Sequence, residues 1–321
     1  MSDLPLLEIN NLQIGFDTPG GLLMAVRGVD LEIFPGEIVA LVGESGCGKS
    51  LTALSALNLI EPPGRIIAGE VLFKGSNVLA MNSERLLSYR GAEASLIFQE
   101  PMTALNPVFT IGDQIAEVLI THGDYTKTTA RQKAIELLAT VGIPEPASRV
   151  DRYPFELSGG MRQRAMIAMA LSMGPALLIA DEPTTALDVT IQLQILDLIK
   201  NLSRTRKMSV LLITHDIGIV GLIADKTAIM YAGEIMEYGN TEDVLKMKRH
   251  PYTQGLFNSL PEPLVAGKGK KRLQPIPGSV PELKDIPDGC VFRNRCPHYK
   301  QECENEISLK YIDNHYYRCI L

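Results

Sequence analysis

The chain has 321 residues, of which 45% are hydrophobic and 21% charged, and its formal net charge is −6. This length allows one large domain with an appendage, and the core is large enough to fold without disulfides. The negative charge argues against a general nucleic-acid binder, which normally carries a basic face.

No membrane-targeting or membrane-spanning segment is predicted. The first residues, Met1–Pro5, lack the basic start and sustained apolar stretch of a signal peptide, so we expect a cytosolic location. The longest nearly apolar run, Ala165–Ala180, is divided by Gly174-Pro175 into pieces too short to cross a bilayer. If a membrane matters to the function, another chain spans it.

Two alternating segments open the chain. Leu6–Phe16 and Ala25–Ile33 each alternate apolar and polar residues, and the turn residues Gly20-Gly21 lie between them. This pattern predicts a small antiparallel sheet.

Four short apolar runs with helical patterns between them follow. They are Glu37–Val42, Ser95–Phe98, Leu177–Ala180 and Val210–Thr214. Such alternation predicts a parallel sheet covered on both faces by helices.

The segment between Gln99 and Gly174 is mostly helical in pattern, with amphipathic stretches at Ile111–Ile120 and Thr129–Val141. We interpret residues of about 100–175 as a helical subdomain inserted into the sheet domain.

The region after the last parallel strand ends in a hairpin and a short helix. Thr227–Tyr231 and Glu234–Tyr238 flank Ala232-Gly233 as a terminal hairpin. Thr241 is predicted to cap a helix that stops before Pro251.

Prolines and glycines mark Pro261–Gly289 as a linker, which contains the basic run Lys268–Arg272. We interpret this run as a solvated charge cluster, with contact to phosphates or lipid headgroups as the less favoured alternative.

The segment Gly43–Ser50 fits G-x-x-x-x-G-K-[ST] between a predicted strand and a predicted helix. Its glycines let backbone N–H groups converge on the β- and γ-phosphates of a nucleotide, Lys49 adds a charged hydrogen bond, and Ser50 places its hydroxyl on Mg²⁺. A glycine-rich turn without a ligand is a weak alternative in this context. The predicted phosphate-binding residues are Gly43, Ser45, Gly46, Cys47, Gly48, Lys49, Ser50 and Leu51, with Cys47 acting through its backbone rather than its thiol.

Two carboxylates, Asp181 and Glu182, stand at the exit of the buried strand Leu177–Ala180. Uncompensated charge is costly among apolar neighbours, so the pair calls for a cation and a water. Asp181 suits the Mg²⁺ shell, and Glu182 can act as the general base on the attacking water. An acidic strand end that merely caps a helix is the alternative, and the phosphate loop weakens it.

The octet Leu157–Arg164 lies between these two motifs and places Ser158, Gly159 and Gly160 at the start of a helix. This is a second phosphate-binding device, which one chain cannot direct at its own nucleotide. It indicates two ATPase subunits that face each other.

With these motifs in this order, the chain resembles the ABC transporter ATPase family over nearly all of Leu6 to Gly239. The resemblance implies an α/β P-loop ATPase with a RecA-like parallel-sheet core, a small antiparallel β-subdomain and an inserted helical subdomain. The octet is similar to the family's signature motif, which implies that Ser158 and Gly160, with Gly159 between them, reach the γ-phosphate bound by the opposing subunit.

The resemblance implies roles for four more residues. Gln99 joins Mg²⁺ and the attacking water to the membrane interface, Asp188 lies in a loop, 186–188, that crosses between subunits, and His215 contacts the γ-phosphate. Phe16 takes the place of the aromatic residue, often Tyr in the family, that stacks on adenine. A lone His or Gln would carry little weight, whereas their order and spacing together imply a hydrolysing ATPase that uses ATP and Mg²⁺.

Four segments are similar to the branch of the family that energises oligopeptide, dipeptide and nickel importers: Phe98–Pro107, Tyr153–Glu156, Asp181–Asp188 and His250–Leu256. This implies a heterodimer with a second, related ATPase under two permease subunits, at the cytoplasmic face of the membrane, fed by an external peptide-binding protein. Residues Ile111–Gln114 would then contact the coupling helix of the permease.

These considerations divide the chain into an ABC nucleotide-binding domain, residues 1–240, and a C-terminal importer extension, residues 241–321, with a four-cysteine pattern at 290–319.

The cysteine pattern leaves its ligand open. Cys290, Cys296, Cys303 and Cys319 lack the tight C-x2-C of common zinc fingers, although spacing alone favours Zn²⁺. Several members of the branch hold a [4Fe–4S] cluster in such a tail, and the resemblance favours that cluster over zinc and over unligated thiols or disulfides. His298 and His315 are substitute ligands that four thiols make unnecessary.

The sequence therefore predicts the ATPase subunit of a peptide importer that does not bind nucleic acid. The same branch leaves nickel or another solute open, since the solute would not touch this subunit. A soluble ABC ATPase of DNA repair would need a long coiled coil between Gln99 and Ser158, and translation factors typically carry two cassettes. A P-loop kinase would lack the Ser158–Gly160 element.

Overall fold

A computed structural model describes residues 4–185, 187–260, 275–312 and 314–321, without the side chains of residues 101 and 102. The basic run Lys268–Arg272 and Ala186 lie outside the described residues. Among the described residues, no helix combines the length and the apolar character that a membrane crossing requires.

The strands vary from two residues to thirteen. In chain order they are β1 (Leu7–Thr18), β2 (Gly21–Ile33), β3 (Ile38–Val42), β4 (Gly64–Phe73), β5 (Ser76–Asn77), β6 (Ala94–Ile97), β7 (Leu177–Asp181), β8 (Ser209–Thr214), β9 (Lys226–Tyr231), β10 (Glu234–Asn240), β11 (Lys310–Ile312) and β12 (His315–Tyr317).

The α-helices range in length from four residues in α3 and α6 to 18 residues in α8. In chain order they are α1 (Lys49–Ser55), α2 (Ser83–Ser88), α3 (Pro101–Ala104), α4 (Ile111–His122), α5 (Lys127–Thr140), α6 (Pro146–Arg149), α7 (Gly159–Ala170), α8 (Val189–Arg206), α9 (Ile217–Ile223), α10 (Thr241–Met247) and α11 (Pro251–Asn258).

The chain forms two compact units, each built from several segments. The first unit comprises Met1–Leu6, Ile33–Ile38 and Phe73–Ile213, and the second comprises Leu7–Glu32, Val39–Leu72 and Thr214–Leu321.

In the first unit, β6, β7 and β8 are parallel neighbours, with Ile97 opposite Ala180 and Asp181 opposite Ile213. The residues of β8 are all buried, as expected for a parallel strand with both faces covered. Helices α4, α5 and α7 pack on one another. Parallel strands end at one edge, so the residues that follow β6 and β7 are brought together.

In the second unit, β1 lies between β2 and β4 in one sheet. The two-residue turn Pro19-Gly20 joins β1 to β2, so these neighbours run antiparallel, as the sequence predicts. In the other sheet β3 pairs parallel to β9, and β9 pairs antiparallel to β10 with Glu234 opposite Tyr231.

The hairpin of β9 and β10 is not terminal. Strand β12 pairs antiparallel to β10, with Glu237 opposite Tyr317, and β11 pairs with β12. The end of the chain therefore returns to this sheet, which no local pattern in the sequence predicts.

One expectation near the hairpin is corrected and another is confirmed. Thr241 is the first residue of α10 rather than its cap; Asn240 precedes the helix, and the Thr241 hydroxyl lies 2.8 Å from that of Thr227. Helix α10 does stop before Pro251, but Pro251 then opens α11, where His250 accepts a hydrogen bond from the Tyr252 N–H.

Candidate active site

The phosphate loop of the second unit joins β3 to α1. Gly46 and Gly48 have φ angles of 79° and 105°, in the left-handed region that residues with a Cβ rarely adopt. A Cβ on Gly43 would collide with the carbonyl oxygen of Met230 in β9, and one on Gly48 would lie 2.9 Å from that of Ala25. The glycines thus let the loop turn tightly while it packs against neighbouring strands.

Lys49 lies inside the curve of this loop. Its side chain is buried, and the ammonium group donates to the carbonyls of Gly43 at 2.8 Å and Glu44 at 3.0 Å. A buried ammonium needs such partners because an unpaired charge is costly to bury. The loop thereby holds one positive charge at a fixed place.

The other predicted loop residues divide into exposed and buried ones. Ser45, Gly46 and Ser50 are exposed, Leu51 is half-buried and Cys47 is fully buried. Burial, as the main cause, raises the pKa of the Cys47 thiol, so the thiol is neutral near pH 7.

Two predicted residues of the second unit lie outside the loop. Phe16 is half-buried near the end of β1, and His215 is exposed directly after β8.

The carboxylate pair of the first unit lies at the edge where β6 and β7 end. Asp181 is the last residue of β7 and Glu182 follows it, while Gln99 follows β6. The Gln99 amide donates to Oε2 of Glu182 at 3.2 Å. The structure therefore brings together the predicted general base and the predicted water-orienting glutamine.

Glu182 adopts an uncommon backbone conformation. Its φ is 45°, and its N–H donates to the carbonyl of Ile213 in β8 at 3.0 Å. Non-glycine residues held in the left-handed region cost about 1–3 kcal/mol and concentrate at functional sites. The backbone conformation and the hydrogen bond to β8 therefore fix the direction in which the Glu182 side chain points.

Thr185 is a site residue that the sequence did not indicate. Its hydroxyl donates to the same Oε2 of Glu182 at 3.0 Å, and its N–H donates to the Glu182 carbonyl at 3.1 Å. A hydroxyl three positions after a carboxylate is common in turns, so only the observed geometry shows that it orients Glu182.

The predicted signature residues begin α7 in the first unit. Ser158 is exposed and accepts a hydrogen bond from the Met161 N–H at 3.3 Å, as an N-cap does. A Cβ on Gly160 would lie 3.0 Å from Cγ2 of Ile191 in α8, so the glycine allows close packing there.

Asp188 caps α8 in the same unit. Its carboxylate accepts from the Ile191 N–H at 3.0 Å, and the next residue, Val189, is 71% exposed. The structure thus gathers the start of α7 and the start of α8 at one exposed, partly apolar surface. Ala186 of the predicted crossing loop is not among the described residues.

A groove of about 780 Å³ runs along α4 in the first unit, lined by Phe109, Thr110, Gly112, Asp113, Ala116, Glu117, Ile120, Thr121, Lys127, Arg131, Val150 and Asp151. Of the predicted permease-contacting residues, Gly112 and Asp113 line it, whereas Ile111 and Gln114 are buried. The Gln114 amide instead donates to the carbonyls of Asn106 and Phe109, so it shapes the loop before α4.

The four C-terminal cysteines line one small cavity of about 10 Å³, together with His250 and His298. The Cys290 N–H donates to the carbonyl of Cys303 at 2.8 Å. His315 is elsewhere, because its Nε2 lies 2.8 Å from the buried Glu237 carboxylate.

Four converging thiols are the donor set of both four-thiolate zinc sites and [4Fe–4S] clusters. Within the described part of the chain, however, no group of three or more His, Cys, Asp or Glu residues is arranged to hold a metal ion. The four thiols are the donors that the predicted cluster would need, but their arrangement does not by itself indicate a metal centre.

Comparison with known proteins supports the family resemblance that these motifs indicate. Residues 26–185 match the ABC transporter family, and residues 236–303 match the oligopeptide/dipeptide transporter C-terminal region. Over 319 residues the chain is 46% identical to the dipeptide transport ATP-binding protein DppD of Bacillus subtilis, which covers 98% of this chain and 94% of that protein. Over 314 residues it is 47% identical to the oligopeptide transport ATP-binding protein OppD of the same bacterium, covering 97% and 87%.

The fold has solved counterparts as well. A dimeric ATP-binding cassette in a post-hydrolysis state, bound to ADP and Pi, aligns with a TM-score of 0.65 and 26% identity over 73% of this chain and 98% of that one. This likeness confirms the predicted P-loop ATPase fold. From its phosphate loop, its oriented carboxylate pair and these relatives, the chain belongs to the ABC transporter family of ATPases, in the branch that carries the oligopeptide and dipeptide transporter C-terminal region.

Proposed function

We propose that this chain is the subunit that couples ATP binding and hydrolysis to the import of dipeptides or oligopeptides. The observation that carries the proposal is the peptide-transporter C-terminal region at residues 236–303, joined to an ATPase domain with an oriented Glu182. Relatives named for dipeptide and oligopeptide transport match almost the whole chain.

In the proposed reaction, water attacks the γ-phosphorus of ATP, the bond to the oxygen that bridges to the β-phosphate breaks, and ADP leaves with that oxygen. Lys49 and the loop N–H groups bind the phosphates, and Glu182 takes the proton of the water. Ser50, Gln99 and Asp181 would hold Mg²⁺. Bound Mg²⁺ neutralises the charge that develops on the phosphate oxygens. The hydrogen bonds from Gln99 and Thr185 to Oε2 hold the Glu182 carboxylate in one orientation.

The remaining predicted residues complete the proposed nucleotide site. Phe16 stacks on adenine and His215 contacts the γ-phosphate. Ser158, Gly159 and Gly160 of this chain reach the γ-phosphate bound by the opposing subunit, and Asp188 lies at the boundary between the two subunits. Exposure of Ser158 and Asp188 at one surface supports this arrangement.

We further propose a heterodimer with a second ABC ATPase, bound to two permease subunits at the cytoplasmic face of the membrane, with an external peptide-binding protein and no nucleic acid. The groove along α4 is the proposed permease contact. Phe109 is 51% and Ile120 42% exposed there, which offers apolar surface to a short amphipathic helix. The proposed division into residues 1–240 and 241–321 places this groove in the ATPase domain.

Transport of labelled solutes tests the function. Cells that lack the chain should lose uptake of a labelled dipeptide and a labelled tripeptide, and wild-type chain but not the Glu182→Gln variant should restore it. Nickel uptake, measured in the same cells, should not change. Restored nickel uptake with unchanged peptide uptake would instead assign the chain to the nickel importers of the branch.

Because four thiols converge on one cavity, we also propose that they hold a [4Fe–4S] cluster, with Zn²⁺ as the alternative; the residues are Cys290, Cys296, Cys303 and Cys319. Protein purified without oxygen should contain about four iron and four sulfide per chain and absorb visible light broadly. Cys303→Ser should remove the iron and the absorbance, whereas Cys47→Ser should leave both unchanged. One zinc per chain without iron would contradict the cluster.

A further inference from the structure

Arg295, in the C-terminal extension, forms an ion pair with the phosphate loop of the same unit. Its guanidinium makes two parallel contacts to the Glu44 carboxylate, Nη1 to Oε2 at 2.6 Å and Nη2 to Oε1 at 3.0 Å. The Arg295 side chain is only 6% exposed and that of Glu44 is 31% exposed. Paired, buried contacts of this kind are the strong form of an ion pair.

The guanidinium of Arg295 also donates to two other groups. Its Nε donates to the Pro277 carbonyl at 2.8 Å, and Nη1 donates to the Tyr231 hydroxyl at 3.3 Å. Burial alone lowers the pKa of Arg295, but the hydrogen bonds to Glu44 and Tyr231 outweigh it and leave the pKa above its usual range. Arg295 is therefore a fixed positive charge in the folded chain.

A second contact holds the backbone of the same loop residue. The Glu44 N–H donates to the Tyr252 hydroxyl at 3.0 Å. Tyr252 packs on Tyr231 and Phe292, with ring centroids 4.7 and 5.2 Å apart. Phe292 directly precedes the turn Arg293–Arg295, so one aromatic cluster supports both contacts to Glu44.

Glu44 lies where its charge affects nucleotide binding. It is the second residue of the loop that binds the triphosphate, where an unpaired carboxylate would repel the ligand. Lys49 also donates to the Glu44 carbonyl, so a shift of Glu44 would displace the ammonium.

We propose that Arg295 is a positioning residue for nucleotide binding: it neutralises Glu44 and ties the phosphate loop to the C-terminal extension. The inference requires nucleotide at this loop, a property of the family, and does not depend on which solute is transported. It gives the extension a direct effect on ATP affinity.

The test compares Arg295→Met with Arg293→Met, a matched arginine in the same turn that donates to the Asp288 carbonyl instead. The dissociation constant for Mg–ATP is measured calorimetrically on the full chain without permease, so failure of peptide transport cannot affect the result. Arg295→Met should weaken binding about tenfold or more, as expected for a lost charged hydrogen bond, and Arg293→Met should leave it unchanged.

A double-mutant cycle separates positioning from loss of fold. In a Glu44→Gln background the carboxylate needs no neutralisation, so Arg295→Met should weaken binding by no more than about twofold. Equal weakening in both backgrounds, or unchanged affinity in the single variant, would overturn the proposal. Should Arg295→Met fail to fold, the same double-mutant cycle is measured with Arg295→Lys. Its expected effect on affinity is smaller, about threefold, because a lysine keeps the charge but not the paired geometry.

Discussion

Replacing Glu182 by Gln should lower the ATPase rate of the assembled transporter by about a hundredfold or more and leave Mg–ATP binding intact. The amide has nearly the same shape as the carboxylate but cannot accept the proton of the attacking water. Phosphate release measures the rate, and calorimetry on the chain alone measures binding.

Two variants sharpen this prediction. Glu145→Gln makes the same change at another glutamate with positive φ, 48°, away from the β6–β7 edge, and should leave the rate unchanged. Thr185→Val removes one of the hydrogen bonds to Oε2 of Glu182 and should slow turnover by about tenfold. An unchanged rate with Glu182→Gln would contradict its role as general base.

Ser158→Asp should lower the ATPase rate of the assembled complex about a hundredfold without changing the ATP affinity of the isolated chain. Aspartate caps a helix as well as serine does, so α7 should keep its start. Its negative charge, however, would face the γ-phosphate held by the opposing subunit.

The neutral cap Ser158→Asn serves as the control for Ser158→Asp and should retain most of the rate. If Ser158→Asp weakens ATP binding by the isolated chain, Ser158 acts on the nucleotide of its own subunit. If the complex with Ser158→Asp hydrolyses ATP at the wild-type rate, the proposal of an active site shared between subunits is wrong.

Much of the site follows from short spacings that the sequence displays. The loop Gly43–Ser50 and the pair Asp181-Glu182 each follow a strand whose apolar run is unmistakable, so their positions at strand ends were predictable. Helices α4 and α5 were predicted within about two residues because their apolar faces are periodic. The family resemblance added Gln99, which the structure brings to Glu182 across 83 positions of sequence.

Other features depend on packing that no local pattern shows. Arg295 and Glu44 are 251 positions apart, and neither residue type is unusual where it stands. The prediction that Thr241 caps α10 failed because a threonine at a helix start is compatible with either the cap or the first turn. Its hydroxyl forms a hydrogen bond with the hydroxyl of Thr227 instead. The convergence of the four cysteines on one cavity was predictable, whereas their spacing left the ligand open.

The return of the C-terminal segment to the sheet also shortens the exposed edge of that sheet. Because β12 pairs with part of β10, the outermost strand on that side among the described residues is β11, which has only three residues and includes Lys310. A long bare edge would offer a ladder of unpaired N–H and C=O groups to a neighbouring molecule, and a short edge with a lysine offers few. The segment that contacts the phosphate loop thus also supplies the short edge strand β11, which we expect to disfavour edge-to-edge pairing.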